Sequence, residues 1–565
     1  MATEEQNIIV SDNQTAWEEI IILPAEESPP PAKKKLNKAR ILKVVSIFVM
    51  VAVLGITAYY ILFPQRGFFH SDCADTILWA EASYDAGAVF NEDFGYACKL
   101  PFGGHLIMIP LVAIFGVSMT AHVLGMLIFF ALFVLALVFM LRQIRWSTPW
   151  TCMTVSALVL TLSVSEKLRE IFWGHIIYYS LGIFLLFVGM GLLVKTIKAA
   201  ETASLKSRGF LVPFCLLFVW VTLGATNHIE ALTLFILPVL AGFFGERFFD
   251  FGAKLQKREL RNFSVILGAV IVGTGLGFAI GLVLKQGVAA GYQAAYSDFS
   301  NPADWLNNAL NFPAHWFTLL GVTAVGDDPL FDAKGMINIV RILFGATLVV
   351  APVIVTLLYP KLRDRFSKML ILAHWAITAL ILIAYIFGSL STANWRLSPI
   401  VCTAVLLTMI LGRHIYQKTN KKRLLLLLFV PMLITGLVTA GQIVTMPPSY
   451  GQDTGAYALA DYLERQGLSY GYGTFWNSHV LTVVSDSEVK VRTVSVDEGL
   501  LQKTGYQTNR NWYHAIPGQD RYFLLLSAEE YERVKTAGFS GIEDSVQTLQ
   551  FDSYYILVFE RNLFE

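Results

Sequence analysis

Charge is what this chain has least of. Of its 565 residues only 15% are Asp, Glu, Lys or Arg, where an ordinary soluble domain carries roughly 25%. With 55% hydrophobic residues and a mean hydropathy of +0.55, that deficit excludes disorder and argues against one large water-soluble enzyme. Charge of one sign is missing too. Lys and Arg number 43 against 42 Asp and Glu, so there is no electrostatic field suited to nucleic acid. Cysteine is scarce, with five in the whole chain, which excludes a disulfide-built scaffold. No internal repeat suggests an inverted-repeat transporter. No Walker loop, zinc signature, nucleophile elbow or dinucleotide fingerprint stands in a credible context.

Long apolar runs are what the chain has instead. A bilayer core about 30 Å thick takes about 20 apolar residues in a helix. Runs of that kind begin near Ile41, Ser118, Trp150, Tyr178, Phe210, Ala231, Phe263, Met336, Met369, Ser398 and Leu424. They predict an α-helical polytopic membrane protein of about eleven spans. The segment 105–117 is apolar but short and holds Pro110, which reads as an interfacial entry to the second span. The first run, 41–63, is too long for a signal-peptide core and reads as a retained anchor. Every second loop is basic: Lys33 to Lys43, Arg142 and Arg145, Lys195 to Arg208, Arg247 to Arg261, Lys361 to Lys368, and Arg413 to Arg423. The positive-inside rule then puts the N-terminus in the cytoplasm and the C-terminus outside.

Three regions follow: a disordered cytosolic tail over 1–40, a transmembrane part over 41–445 with outside loops 64–104 and 285–335, and a small extracytoplasmic α/β domain over 446–565. The last opens on Pro447 and Pro448. It then alternates a helix-like 457–466 and 528–537 with strand-like 489–496, 522–526 and 554–559.

The first outside loop carries the densest chemistry. Asp72 and Asp75 are three apart and share a helical face. The surrounding Ile77, Leu78, Trp79, Ala82 and Tyr84 predict an amphipathic helix lying in the membrane interface. Ser71 and Asp72 would also cap a helix starting there, which is the plainer reading. Cys73 and Cys98 both lie in this loop, on the oxidising side, and a disulfide between them would close it if their geometry allows. The other three cysteines fall within spans, as apolar fillers.

Asp75, Trp79, Ala80 and Glu81, followed by Lys99, Leu100, Pro101 and Phe102, resemble the opening of the GT-C superfamily of integral-membrane glycosyltransferases. The likeness is in particular to the branch of protein O-mannosyltransferases and aminoarabinose transferases. In that branch a cytoplasmic N-terminus and one span lead to an outside loop with an acidic motif, an aromatic-Ala-Glu step and a Lys-Pro-Pro-Leu-like turn. Many members have Asp-Glu at the acidic step. This chain has Asp75-Thr76 with a second acid at Asp72, so the register favours Asp75 as the family's catalytic aspartate and leaves Asp72 in contention. Near the tenth span, Trp395, Arg396 and Pro399 look like the family's Arg-aromatic-x-x-Pro pattern with the aromatic displaced. A guanidinium there suits a lipid phosphate through its planar fork, and a snorkelling interface arginine is the competing reading.

The resemblance implies a transferase moving a sugar from a polyprenyl-phosphate donor to a protein, lipid or glycan acceptor on the outer face. Asp75 or Asp72 would be the general base, favouring inversion, and Arg396 with Lys99 would hold the phosphate. Some members use a divalent metal or an acid of the second outside loop, which makes Glu170 and His175 acceptor or metal candidates. Their spacing makes no metal motif, and a short polar loop with Trp173 in the aromatic belt is the alternative. His228 and Glu230, beside Asn227, lie where two spans meet. Ionisable groups there are functional candidates, or a satisfied structural hydrogen bond. The rival functions are a transporter or flippase of lipid or polysaccharide precursors, and a scaffold that displays the C-terminal domain.

Overall fold

The computed structural model describes residues 38–249, 256–289, 298–362, 364–418, 423–498 and 500–564. The expected tail lies outside the described residues up to position 37. Helix α1 (Lys38–Leu62) opens the bundle. Two shorter helices follow, α2 (Ser71–Ala86) and α3 (His105–Phe115). Then come α4 (Met119–Gln143), α5 (Thr148–Thr161), α6 (Glu166–Gly174), α7 (Tyr178–Thr202), α8 (Arg208–Ala225), α9 (Ile229–Phe248) and α10 (Lys257–Leu284). After α11 (Trp305–Leu319), the bundle is completed by α12 (Ala333–Leu357), α13 (Arg365–Phe387), α14 (Asn394–Lys418) and α15 (Leu424–Thr445).

Ten of these helices are long and apolar enough to cross a membrane. The eleventh expected span, beginning near Trp150, is a broken one: α5 and α6 meet at 115°. The break has a local cause. Ser165 takes an extended backbone and its hydroxyl caps the amide of Leu168, starting a new helix instead of continuing the old one. The same hydroxyl donates to the Leu319 carbonyl at 2.7 Å, tying the break to α11. The protein is thus a helical polytopic membrane protein, as its hydropathy predicts.

The charges of the alternate loops gather on one end of the bundle. There Arg365 pairs with Glu201 and, at 3.0 Å, with Glu246. Arg413 meets Asp364 at 3.2 Å, and the Lys198 ammonium donates to the Gln143 carbonyl. The opposite end, the loop face, carries α2, the α5–α6 break, the approach to α14 and the C-terminal layer.

That layer packs helices α16 (Ala456–Arg465), α17 (Phe475–Val484) and α18 (Ala528–Thr536) on a sheet. A two-residue strand of the first loop, β1 (Phe94–Gly95), lies outside that sheet. The sheet's strands are β2 (Tyr470–Gly473), β3 (Lys490–Asp497), β4 (Leu500–Lys503), β6 (Tyr522–Ser527), β7 (Gln547–Phe551) and β8 (Tyr554–Phe559), in the order β4-β3-β2-β6-β8-β7. Strand β2 runs parallel to β3 and β6, and the other pairings are antiparallel. The remaining strand, β5 (Thr508–Asn509), leaves the sheet to pair with β1, Gly95 opposite Thr508.

This junction corrects the expectation for α2. It is not an amphipathic helix with one face left free. It is wedged between α3 and α17, and 11 of its 16 residues are buried. Ile77 and Leu78 are fully inside, each contributing about 1.5–3 kcal/mol over an exposed position. Nor do Ser71 and Asp72 cap it. The N-cap position is His70 and no side chain caps the helix, while the Ser71 hydroxyl donates to the Phe475 carbonyl of α17 at 2.6 Å.

Candidate active site

Asp75 sits on the buried face of α2 and is 4% exposed. Asp72, one turn earlier, is half-buried. Burial raises the Asp75 carboxyl well above the usual range, and the Asp72 charge pushes the same way, while His70 and the Gln507 amide oppose. Burial also raises Asp72, with Glu170 adding to it and His70 and Lys167 opposing. Two carboxylates one turn apart cannot both ionise cheaply, and such pairs mark sites that move protons.

Glu170 joins this group. Its Oε2 lies 2.5 Å from the Lys167 ammonium and 3.4 Å from His70 Nε2. Burial works against a charge on His70, but Cys73 and Glu170 outweigh it and raise the imidazole. His175, behind them, is buried, and burial lowers its ring to about 4, so it is neutral at physiological pH. Lys167 reaches further: its ammonium stands 4.6 Å from the Trp395 ring, next to Arg396.

Arg396 lies in the tight turn that opens α14, is 6% exposed, and donates to the Ser389 carbonyl at 2.5 Å. A second chain of neighbours joins it to α2. The Tyr178 hydroxyl is within electrostatic reach of Arg396, Glu230 and Cys98, and Cys98 in turn feels Asp75, Glu230 and Lys285. Glu170 is thus joined to His70 and, through Lys167, to Trp395 beside Arg396, with Asp72, Asp75, His175 and Glu230 within electrostatic reach of this line on the loop face. Both π-turns among the described residues start beside it, at Glu170 and at Leu232, two residues after Glu230. Such turns recur at functional sites, where they re-aim a side chain.

The turn from Lys99 to Phe102 borders the group. Asn227 clamps it, accepting from the Phe102 amide and donating to the Phe102 carbonyl, both at 3.0 Å. The Lys99 ammonium donates to the Val288 carbonyl at 2.7 Å, which leaves two of its three N–H groups for an anion. His228 stands apart. It holds the end of α10 through Nε2 to the Phe278 carbonyl at 3.0 Å.

Two other expectations change. Cys73 and Cys98 are buried and unbonded, because they face different neighbours: Cys73 looks to His70 and Gly174, Cys98 to Glu230 and Lys285. Trp173 is no belt residue. It is buried, with its indole N–H on the Ser163 hydroxyl at 3.0 Å.

Among the described residues no three of His, Cys, Asp and Glu converge as a ligand set, and Lys167 and His70 already occupy the Glu170 oxygen a metal would need.

Lys167, Lys285, Tyr178, His70 and Gln507 escaped the sequence reading. Lys167 has the one local signal, a lysine three residues from Glu170 in an outside loop. The rest are brought in by chain crossings that sequence does not display.

No family model and no curated protein matches the sequence. Solved structures similar to it include the oligosaccharyltransferase of Archaeoglobus fulgidus in its apo form, at 11% identity and a TM-score of 0.45, covering 81% of this chain and 64% of that one. The chain thus spans just under two thirds of that relative's length. The same archaeal enzyme, AglB, with an inhibitory peptide and dolichol-phosphate, is 12% identical with a TM-score of 0.45, over 86% and 70% of the two chains. ArnT from Cupriavidus metallidurans, bound to undecaprenyl phosphate, is 13% identical with a TM-score of 0.42, over 91% and 97%. AglB and ArnT are members of the GT-C superfamily that the first-loop motifs resemble.

Proposed function

We propose that the protein is a membrane glycosyltransferase using a polyprenyl-phosphate-linked sugar, with the loop face extracytoplasmic and the basic end in the cytoplasm. The observation that carries this reading is the shared neighbourhood of the α2 carboxylates and the buried Arg396, linked through Tyr178–Cys98 and through Lys167–Glu170. A base and a phosphate-binding cation at one membrane surface are what such a transfer needs.

Asp75 takes the proton of the acceptor hydroxyl as its oxygen bonds to the anomeric carbon. The bond from that carbon to the phosphate oxygen breaks on the opposite side, inverting the centre. The electron pair leaves on the phosphate, a weak base that needs no strong acid. Arg396 and Lys99 steady the departing charge with donors already in position. His175, held neutral, and the Glu170–Lys167 pair frame the acceptor side.

The full-length protein in lipid nanodiscs, given a panel of synthetic polyprenyl-phosphate sugars and membrane-extracted acceptors, tests this. Asp75→Asn should lower transfer by about 10²–10⁴-fold, the usual effect of losing a general base. Asp72→Asn should retain most of the activity with its acid limb moved to lower pH, because a charge that raises Asp75 is gone. Near-normal transfer by both single variants and by the double variant overturns the assignment.

A further inference from the structure

Gln507 comes from the C-terminal layer, 432 positions beyond Asp75, yet its side chain is fully buried against α2. Its backbone sits at φ +54, a left-handed conformation that costs a non-glycine residue and persists only where the surroundings enforce it. They do so here. The Gln507 amide N–H donates to the Gly95 carbonyl at 2.7 Å, and the next two residues pair with Gly95 and Phe94 as β5 on β1.

The side-chain amide has only one workable orientation. Its oxygen accepts the Trp79 indole N–H at 2.7 Å and the Ala97 backbone N–H at 3.3 Å. Both partners can only donate, so the oxygen must face them and the NH2 must face the other way. That Nε2 has no hydrogen-bond partner, and Asp75 Oδ1, also buried, has none. The amide acts on the Asp75 carboxyl, lowering what burial raises. Asp75 stands four residues before Trp79 on α2, one turn from the indole that fixes the amide, and an unpaired buried donor and an unpaired buried acceptor kept that near are a costly arrangement unless the pair is used.

We propose that Gln507 is a positioning residue that orients Asp75 and favours its ionised form, so that the C-terminal layer completes the site on α2. Trp79 then acts by fixing the amide rather than by touching substrate. The inference rests on Asp75 as the base of the proposed transfer, but the geometry it invokes is independent of any substrate.

The test reads Asp75 directly. Infrared difference spectra of the full-length protein in nanodiscs, recorded across pH, follow the protonated carboxyl, and the band missing from Asp75→Asn identifies it. Gln507→Leu should move that band's midpoint to higher pH by about one unit, the effect of losing a hydrogen bond to a charged group. Trp79→Phe, which frees the amide to turn, should move it the same way by less. Arg510→Ala, which removes an exposed pair to Asp93 in the same junction, should leave it where it was. A midpoint unchanged in both Gln507→Leu and Trp79→Phe, with the proteins still folded, overturns the proposal, and so does an equal shift in Arg510→Ala. Were Gln507→Leu not to fold, Trp79→Phe decides alone. If the midpoint moves while Asp75→Asn transfers sugar normally, the pairing stands and the assignment of Asp75 as the base falls.

Discussion

Asn227 offers a perturbation whose size can be worked from contacts alone. Its amide grips both backbone polar groups of one residue, the Phe102 N–H and C=O, each at 3.0 Å, and it is 1% exposed. Asn227→Ala leaves that half-buried donor and acceptor without their partner. An unsatisfied buried group costs about 1–3 kcal/mol, so the pair costs about 2–4 kcal/mol if the turn relaxes in part. Because 1.4 kcal/mol is tenfold, the Lys99–Phe102 turn should open roughly 30- to 1,000-fold more often. Hydrogen exchange of a peptide spanning 99–104, followed by mass spectrometry on the protein in nanodiscs, reads that opening. Asn227→Asp sharpens the test. The carboxylate still accepts from the Phe102 amide but faces the carbonyl with no donor, so the turn should be no better protected than in the alanine variant. Exchange unchanged in Asn227→Ala, or fully restored in Asn227→Asp, refutes the clamp. Transfer should fall with protection in both, since Lys99 rides on the same turn.

Asp75→Asn should raise thermal stability at pH 7 while lowering transfer by about 10²–10⁴-fold. A carboxyl whose folded pKa lies above its free value destabilises the fold not at all below the free value, increasingly as pH rises, and fully above the folded value. Removing the charge should therefore raise the melting temperature at pH 7 and leave it unchanged near pH 3, and a drop at pH 7 would contradict the burial argument. Gly95→Ala should open the junction between the first loop and the C-terminal layer, because the added methyl runs into the Gly505 carbonyl. Overpacking of this kind costs about 1–3 kcal/mol; peptides covering 94–96 and 507–509 should lose exchange protection together, and intact protection in both would count against the junction.

The membrane part was legible because span length and loop charge are local properties. The helices α1, α4 and α7–α10 begin within a few residues of the expected apolar runs, as do α12–α15. The α5–α6 break was legible only as a short polar loop, from Glu166, Lys167, Arg169 and Glu170; that a second helix starts there at 115° from the first depends on the Ser165 cap and the tie to α11. In the C-terminal layer, Lys490–Asp497, Tyr522–Ser527 and Tyr554–Phe559 were readable from apolar runs. The strand Tyr470–Gly473 was not, since its two glycines weaken the strand signal and its stability comes from parallel pairing on both sides. Helix α2 misled for a related reason. Its apolar residues gave a periodic stripe, but the opposite face is covered by α17, some 400 residues later.

The two ends of the bundle hold charge in different ways. At the basic end the charges, half-buried apart from the buried Glu246 and the exposed Glu201, close on each other: Arg365 on Glu246 and Glu201, Arg413 on Asp364. Breaking such pairs would cost stability, and their closure leaves little for a ligand to gain. At the loop face the chain keeps Asp75 Oδ1, Gln507 Nε2, His70 Nδ1 and His175 Nδ1 buried without a hydrogen-bond partner and holds Gln507 in a left-handed backbone. Stability alone would have selected against all of these, most of all against a carboxyl that burial keeps from ionising easily. Their concentration within a few helical turns, at the one place where segments from the first loop, the α5–α6 break, the start of α14 and the C-terminal layer meet, argues that the fold bears this local cost to keep polar atoms available for a reacting molecule.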